Sequence, residues 1–224
     1  MLPTVKTVIS QQIIDALRDR IVCGGFDADQ PIRQDALAAE LGISKIPLRE
    51  AFAKLEQEGL IVSRANRGFF VSPLSLVEAV DVFDLRLQLE PAATAEASMR
   101  LGESDLRAAR AALTELDAAM AAGQPSAGAL NRTFHMALVG PCGRPVTVQL
   151  LSRLLLLSER YTIKTLEPSG RLARARAEHQ SLFDAWAAGK SEAVAALIVA
   201  HISGTRDDLV SELKAQEPTS KVAG

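Results

Sequence analysis

The order of apolar and polar positions along the chain predicts a protein that is mostly helical. Long segments repeat apolar residues every three or four positions, which is the spacing of an amphipathic helix. Strand-like alternation occurs in residues 59–73, where two short apolar runs flank a polar turn that ends at Gly68. This predicted hairpin separates two regions that are organised differently.

The region before the hairpin has the pattern of a small helical unit. Residues 8–26 have helical periodicity, and residues 33–60 contain two short helical segments joined by a turn at Gly42. Ser44 stands where the N-cap of the second segment is expected. Two short helices joined by a glycine turn and followed by a hairpin are typical of a winged helix-turn-helix. We therefore predict such a domain over residues 1–73.

The region after the hairpin is predicted to be helical throughout. Six helices are expected in a bundle that spans residues 74–216, near positions 75–100, 103–122, 126–139, 145–166, 170–188 and 190–215. The helix at 145–166 is apolar nearly all round and is predicted to lie at the centre of the bundle. Residues 217–224 are predicted to be a disordered tail. The fold class is therefore mainly α.

Composition narrows the classes of protein that fit this pattern. The chain has 224 residues with a formal charge of −2, and 48% of its residues are hydrophobic, which is enough for a proper core. The chain has two cysteines, without CxxC spacing, which argues against a disulfide scaffold or a thiolate zinc site. The apolar run Leu154–Leu157 is far too short to span a membrane, and the first residues lack the apolar core of a signal peptide. A cytoplasmic protein is expected.

The predicted second helix of the winged helix-turn-helix carries residues suited to reading DNA. A recognition helix enters the major groove by its N-terminal residues, which here include Ser44, Lys45, Ile46 and Arg49. The tip of the wing would be formed by Asn66, Arg67 and Gly68. Residues 1–75 nevertheless hold nine basic and nine acidic residues. Composition alone therefore leaves open whether the domain binds DNA or serves as an interaction module.

The chain's three histidines all lie on apolar faces of predicted helices. His135, His179 and His201 belong to three different helices, and Asn131 lies one turn before His135. If these faces converge, three imidazoles and an amide oxygen suit a divalent transition metal such as zinc, nickel or manganese. The other interpretation is that each histidine is a hydrogen-bonded core residue. The residues alone leave both interpretations open.

Residues 36–71 resemble the winged helix of the GntR family of bacterial transcription regulators. The segment "LGISKIPLREAFAKLEQEGL" and the wing residues "NRG" follow the spacing of that family. The resemblance implies a homodimer that binds double-stranded DNA at a palindromic operator. Two positions depart from the family pattern, since Lys45 replaces a usual arginine and Ile46 replaces a usual threonine. The operator sequence therefore cannot be carried over.

Residues 75–215 resemble the FCD ligand-binding domain of the FadR-like GntR subfamily, and the six helices suggest its VanR-like branch. Asn131, His135, His179 and His201 match the metal ligands of that domain, while Arg86 and Glu90 match the R-x-x-x-E of its first helix. Many members have aspartate at position 131, so the neutral asparagine predicts weaker metal binding. The resemblance implies a small organic acid as the effector. Candidate anchors for the effector's carboxylate are Arg86, Arg153 and Arg160. For Arg86, the alternative interpretation is a structural ion pair with Glu90.

The sequence therefore predicts a DNA-binding regulator, not an enzyme, whose operator affinity is controlled by a small carboxylate at a metal site. One alternative is a metal-dependent hydrolase, because three histidines with an open coordination position could activate water. Against it, the chain has no HExxH-like arrangement, and a fused winged helix would be unexplained. The other alternative is a metal-free regulator with structural histidines.

Overall fold

The computed structural model describes residues 5–165 and 171–216, and the chain divides into two compact units, Met1–Leu74 and Ser75–Gly224. The predicted tail 217–224 and the predicted helix break at 167–170 lie outside the described residues. The first unit consists of α1 (Val5–Val22), β1 (Pro31–Ile32), α2 (Gln34–Glu40), α3 (Lys45–Gln57), β2 (Ile61–Arg64) and β3 (Gly68–Val71). The second consists of α4 (Leu76–Ser98), α5 (Glu103–Ala121), α6 (Ala127–Val139), a short 3-10 helix (Gly140–Cys142), α7 (Pro145–Thr165), α8 (Arg171–Ala187) and α9 (Ser191–Gln216). The prediction of a mainly α fold with an N-terminal winged helix and a C-terminal helical bundle is confirmed.

The first unit is built around helix α3. Both α1 and α2 pack against α3, which also contacts β2. Leu48, Phe52 and Leu55 are buried on the inner face of α3, and each contributes about 1.5–3 kcal/mol when fully buried. The turn between α2 and α3 requires Gly42, which has a φ of +65°. The apolar spacing that predicted these helices is thus the spacing of their buried faces.

The wing contains one strand that the sequence did not predict. Strands β2 and β3 form the expected antiparallel hairpin, but β1 pairs with the other edge of β3, giving the order β1-β3-β2. Strand β1 has two residues, too few to show alternation. Its Pro31 is compatible with a strand at the edge of a sheet, where no ladder bond from its nitrogen is needed.

The second unit is built around helix α4, not around α7. Helix α4 packs against α6, α7, α8, α9 and the 3-10 helix. The prediction that the helix at 145–166 occupies the centre is wrong for its N-terminal half, because Val146 is 69% exposed and Leu150 is 50% exposed. The densest apolar run lies further along α7, where Leu155 and Leu156 are buried. None of the described helices is long and apolar enough to cross a bilayer.

Candidate metal centre and nucleic-acid interface

The N-terminal turn of α3 presents the residues that the sequence assigned to DNA recognition. Ser44, Lys45, Ile46 and Arg49 are all exposed, while Leu48 on the opposite face is fully buried. Ser44 occupies the N-cap with extended backbone, as predicted, but its side chain makes no capping hydrogen bond. The exposed face of the turn therefore combines a hydroxyl, two cations and one apolar side chain.

Lys45 has a partner that the sequence did not reveal. Its Nζ lies 2.7 Å from Oδ1 of Asp35 on α2, and both side chains are largely exposed. An ion pair in such a setting contributes little stability and is screened by salt. A phosphate or base acceptor can therefore replace Asp35 as the partner of Lys45.

The wing tip is exposed and carries a cation. Asn66 has a φ of +59° and Gly68 a φ of +86°, so the turn needs residues that tolerate the left-handed region. The guanidinium of Arg67 lies 5.5 Å from the centre of the Phe70 ring. Arg64 lies over the same ring and pairs with Asp29. Of these two cations, Arg67 is the one that the structure places at the tip.

The three histidines of the second unit meet in its interior. His135 on α6, His179 on α8 and His201 on α9 each offer one ring nitrogen, and these three atoms lie within 4.8 Å of one another. The side chains are buried, with exposed fractions of 0%, 1% and 9% respectively. The structure thus brings together three imidazoles that the sequence placed on separate helix faces.

Two of the three imidazoles are oriented by carboxylates. Nδ1 of His135 donates to Oε1 of Glu90 at 2.6 Å, and Nδ1 of His201 donates to Oε2 of Glu178 at 2.7 Å. Nε2 of His135 is buried without a hydrogen-bond partner among the described residues. A carboxylate on one ring nitrogen fixes the tautomer and leaves the other nitrogen as the electron-pair donor, which is the usual arrangement around a bound metal.

His179 differs from the other two because neither of its ring nitrogens has a hydrogen-bond partner among the described residues. A buried polar group left in this state costs about 1–3 kcal/mol. Burial, followed by the charges of His201 and His135, holds the pKa of His179 well below its usual value. The ring is therefore neutral near pH 7, which is the form that binds metal. An orphaned neutral imidazole beside two oriented imidazoles fits a metal ion.

Arg86 and Glu90 form a buried ion pair next to the histidines. Nε of Arg86 donates to Oε2 of Glu90 at 2.9 Å, and Nη1 donates to the hydroxyl of Ser158 at 3.1 Å. Burial opposes ionisation of Glu90, but the charges of Arg86 and His135 outweigh it and lower the pKa of the carboxyl. Nη2 of Arg86 is buried without a hydrogen-bond partner in the described part of the chain. The structural ion pair expected for Arg86 is present, and one donor is left over.

A small cavity is lined by His179, His201 and Arg86. Its volume is about 50 Å³, which is enough for a water molecule or a small polar group. Its polar lining consists of Arg86, Asn131, Thr162, His179, His201 and Thr205. Arg153 is exposed, and Arg160 is buried where it interacts with Tyr161 and Glu78, and neither lines this cavity. Of the three arginines considered as anchors, the structure brings only Arg86 to the cavity.

Several residues around the site were missed by sequence reasoning. Glu178 precedes His179 in the chain but orients His201, and Ser158 reaches Arg86 from a helix 72 residues away. Glu90 was expected to pair with Arg86, but its bond to His135 was not predicted. No periodicity links such residues, because each contact joins two helices whose packing the sequence does not specify.

Comparisons with known proteins identify related sequences for both units of the chain. Residues 9–71 match the family described as bacterial regulatory proteins of the gntR family, and residues 81–204 match the FCD domain. The Nta operon transcriptional regulator of Aminobacter aminovorans is 30% identical over 192 residues, which cover 84% of this chain and 89% of that protein. The HTH-type transcriptional repressor GlaR of Escherichia coli (strain K12) is 31% identical over 150 residues, covering 65% of this chain and 68% of that protein.

Solved structures show the same fold. The structure of E. coli McbR/YncC has a TM-score of 0.81 at 19% identity and covers 95% of this chain and 100% of that chain. A putative transcriptional regulator GntR from Rhodococcus sp. RHA1 has a TM-score of 0.80 at 21% identity, covering 92% of this chain and 99% of that chain. Both identities are low, so these two likenesses concern the fold alone.

Proposed function

The chain belongs to the GntR family of bacterial regulatory proteins and carries an FCD domain, and we propose that a small organic acid, bound beside a metal ion in the second unit, controls its affinity for operator DNA. Its relatives are transcriptional regulators rather than enzymes, so the chain is a DNA-binding transcriptional regulator and the hydrolase alternative is not retained. The observation that carries the proposed ligand control is His179, a buried imidazole whose two nitrogens have no hydrogen-bond partner within residues 5–165 and 171–216. An ion in the adjoining cavity would give this ring a partner.

The proposed metal ligands are His135, His179, His201 and the side-chain oxygen of Asn131. The first three offer nitrogens within 4.8 Å of one another, and Asn131 lines the same cavity as His179 and His201. A set of three imidazoles and one neutral oxygen suits zinc, nickel or manganese. Such an ion would supply a positive charge and open coordination positions for a carboxylate. Glu90 and Glu178 would act as positioning residues, because each holds the Nδ1 of one ligand histidine.

Arg86 is the proposed second anchor of the organic acid. Arg86 lines the cavity, and its Nη2 has no hydrogen-bond partner among the described residues, so an anionic oxygen within its reach would complete the hydrogen bonding of the guanidinium. The cavity is small and also lined by apolar side chains such as Leu116, Met120 and Ile202. We therefore expect a compact acid with few carbon atoms rather than a long-chain one.

The DNA-contacting surface is proposed to consist of the N-terminal turn of α3 and the wing tip. Arg49 and Lys45 would contact bases or phosphates in the major groove, and Arg67 would reach the adjacent minor groove. Asn66 and Gly68 would shape the wing turn that carries Arg67.

A regulator that binds the bacterial chromosome works in the cytoplasm, which is the proposed location. The acid changes DNA affinity only if it binds better to one arrangement of the protein than to another.

A homodimer is proposed because operators of this kind are palindromes read by two-fold symmetric proteins. Exposed apolar residues on α7 favour this helix as part of the contact, since Val146 and Leu150 project outward. Isolated apolar side chains at a protein surface are common, but two on adjacent turns of one helix form a stripe that a second copy can cover.

The proposal is tested by measuring metal content and thermal unfolding in parallel. The full chain, purified without a histidine tag, is assayed for zinc, nickel and manganese and is then melted with and without a chelator. A metal that binds only the folded state at a hundredfold excess over its dissociation constant adds about 2.7 kcal/mol. Chelation should lower the melting temperature and added metal should restore it. If the purified protein contains no metal and its melting temperature changes with neither chelator nor added ions, the histidines are structural.

A further inference from the structure

Ile46 is unusual among the apolar residues of the first unit. Its side chain is 66% exposed, and among residues 11–74, whose side chains the structure describes, it is the one large apolar residue left exposed. Leu48, Phe52 and Leu55 on the same helix have exposed fractions of 1% or less. Ile46 therefore takes no part in the core of the unit, and its surroundings in the free protein are solvent.

The position of Ile46 on α3 indicates what would cover it. It is the second residue of the helix, and Arg49 lies one turn further on the same exposed face. The N-terminal residues of a recognition helix are those that reach base edges in the major groove. On those edges, hydrogen-bonding atoms are the rule, and the apolar group is the C5-methyl of thymine. The C5-methyl of thymine is therefore the group on the base edges that suits an aliphatic side chain at this position.

We propose that Ile46 is a specificity-determining residue that reads the C5-methyl group of one thymine in each half-site of the operator. The inference rests on the proposed docking of α3 in the major groove. Residues three apart on a helix lie about 5–6 Å from each other. Successive bases along one strand are spaced about 3.4 Å apart. The thymine should therefore lie one or two base pairs from the base that Arg49 contacts.

The experiment replaces each thymine by deoxyuridine, which lacks the C5-methyl and keeps every hydrogen-bonding atom. The probe is the duplex that the full-length protein selects from a random-sequence library, labelled for fluorescence anisotropy. Dissociation constants are measured for the wild type, for Ile46→Ala, and for the control Val199→Ala, which truncates a branched side chain that is 43% exposed in the second unit. Circular dichroism verifies that all three are folded.

For the wild type, deoxyuridine at one thymine per half-site should weaken binding about fourfold, which corresponds to losing one buried methyl-sized group. Replacement in both half-sites should weaken it about fifteenfold. The Ile46→Ala variant should bind the thymine duplex correspondingly weakly and should bind the thymine and deoxyuridine duplexes equally. Val199→Ala should behave as the wild type does.

Three results would overturn the inference. The selected half-sites could contain no thymine, no thymine could be sensitive to deoxyuridine, or Ile46→Ala could keep the full sensitivity of the wild type. A wild-type protein whose affinity for the selected duplex is unaffected by Arg49→Ala would instead show that the proposed docking of α3 is wrong. In the three results above, by contrast, Arg49→Ala still weakens binding and only the recognition by Ile46 is absent.

Discussion

Oε1 of Glu90 lies 2.6 Å from Nδ1 of His135, and both side chains are completely buried. The other oxygen of the same carboxylate accepts the hydrogen bond from Nε of Arg86 at 2.9 Å. One side chain thus positions both a proposed metal ligand and the proposed anchor of the organic acid. The two halves of the proposed site are joined through a single carboxylate.

Replacing this carboxylate should therefore affect stability. Glu90→Gln keeps the shape of the side chain but leaves the charge of Arg86 buried without its partner. Removing one member of a buried ion pair costs about 3–5 kcal/mol. Urea unfolding should show a loss of this size. The matched control is Glu103→Gln, whose partner Arg107 is exposed, and a Glu90→Gln variant as stable as this control would contradict the prediction.

His179→Ala should remove the response of the protein to metal. Without this imidazole, the proposed set is reduced to two imidazoles and one weak neutral oxygen, so metal should no longer raise the melting temperature. Asn131→Asp should enlarge the response, because a carboxylate adds a negative charge at the same position. Thermal melts with chelator and with added zinc, nickel or manganese measure both changes. A His179→Ala variant that still responds as the wild type does would exclude His179 as a ligand.

Glu178→Gln should weaken metal binding while leaving the fold intact. Glu178 holds Nδ1 of His201 at 2.7 Å and is one-third exposed. Losing such an orienting carboxylate typically reduces metal affinity about 10–100-fold. Competition with a chelating dye measures the change. Glu212→Gln is the control, since Glu212 pairs with Arg171 at 2.9 Å between the same two helices without contacting a histidine. Equal metal affinities of the two variants would remove Glu178 from the site.

Arg49→Ala should weaken specific DNA binding by about 1–3 kcal/mol. The fold should persist, because the side chain is exposed on α3 while the core residues lie on the other face. Mobility shift on the natural promoter, with circular dichroism in parallel, provides the measurement. Arg107→Ala removes an exposed arginine of α5 and serves as the control. Unchanged affinity in folded Arg49→Ala would place Arg49 outside the interface.

Leu150→Glu should convert the proposed dimer into a monomer. Leu150 is 50% exposed on α7, and a carboxylate there would be desolvated in a contact between two copies. Light scattering at micromolar concentration distinguishes the two states. Met99→Glu introduces the same charge at another exposed apolar position, 64% exposed, and should leave the dimer intact. A wild type that is monomeric both free and on DNA would refute the dimer itself.

The sequence was most informative where spacing along one element decides the structure. The turn at Gly42, the inner face of Leu48, Phe52 and Leu55, and the hairpin ending in Val71 all follow from local periodicity and turn chemistry. The same reasoning placed His135, His179 and His201 on the apolar faces of their helices. These faces do converge in the structure.

Features that depend on packing between elements could not be predicted from the sequence. The pairing of β1 with β3 joins residues about 40 positions apart, and Glu90 reaches His135 across 45 positions. The exposure of Val146 and Leu150 has the same origin, since a nearly all-apolar helix does not indicate which of its faces a neighbour covers. Local patterns predict which face of a helix is apolar, whereas the helix that packs against this face depends on how the bundle assembles.

The ring of His179, which no other residue in the described part of the chain hydrogen-bonds, has a consequence for how much of the regulator a cell contains. Before an ion is bound, the folded chain carries this orphaned imidazole at a cost of about 1–3 kcal/mol. A stability difference of that size changes the steady-state abundance of a protein several-fold, because unfolded molecules are degraded by proteases. Under the proposed function, newly made chains that acquire the ion would outlive those that do not. Metal supply would then set the number of regulator molecules as well as their response to the acid.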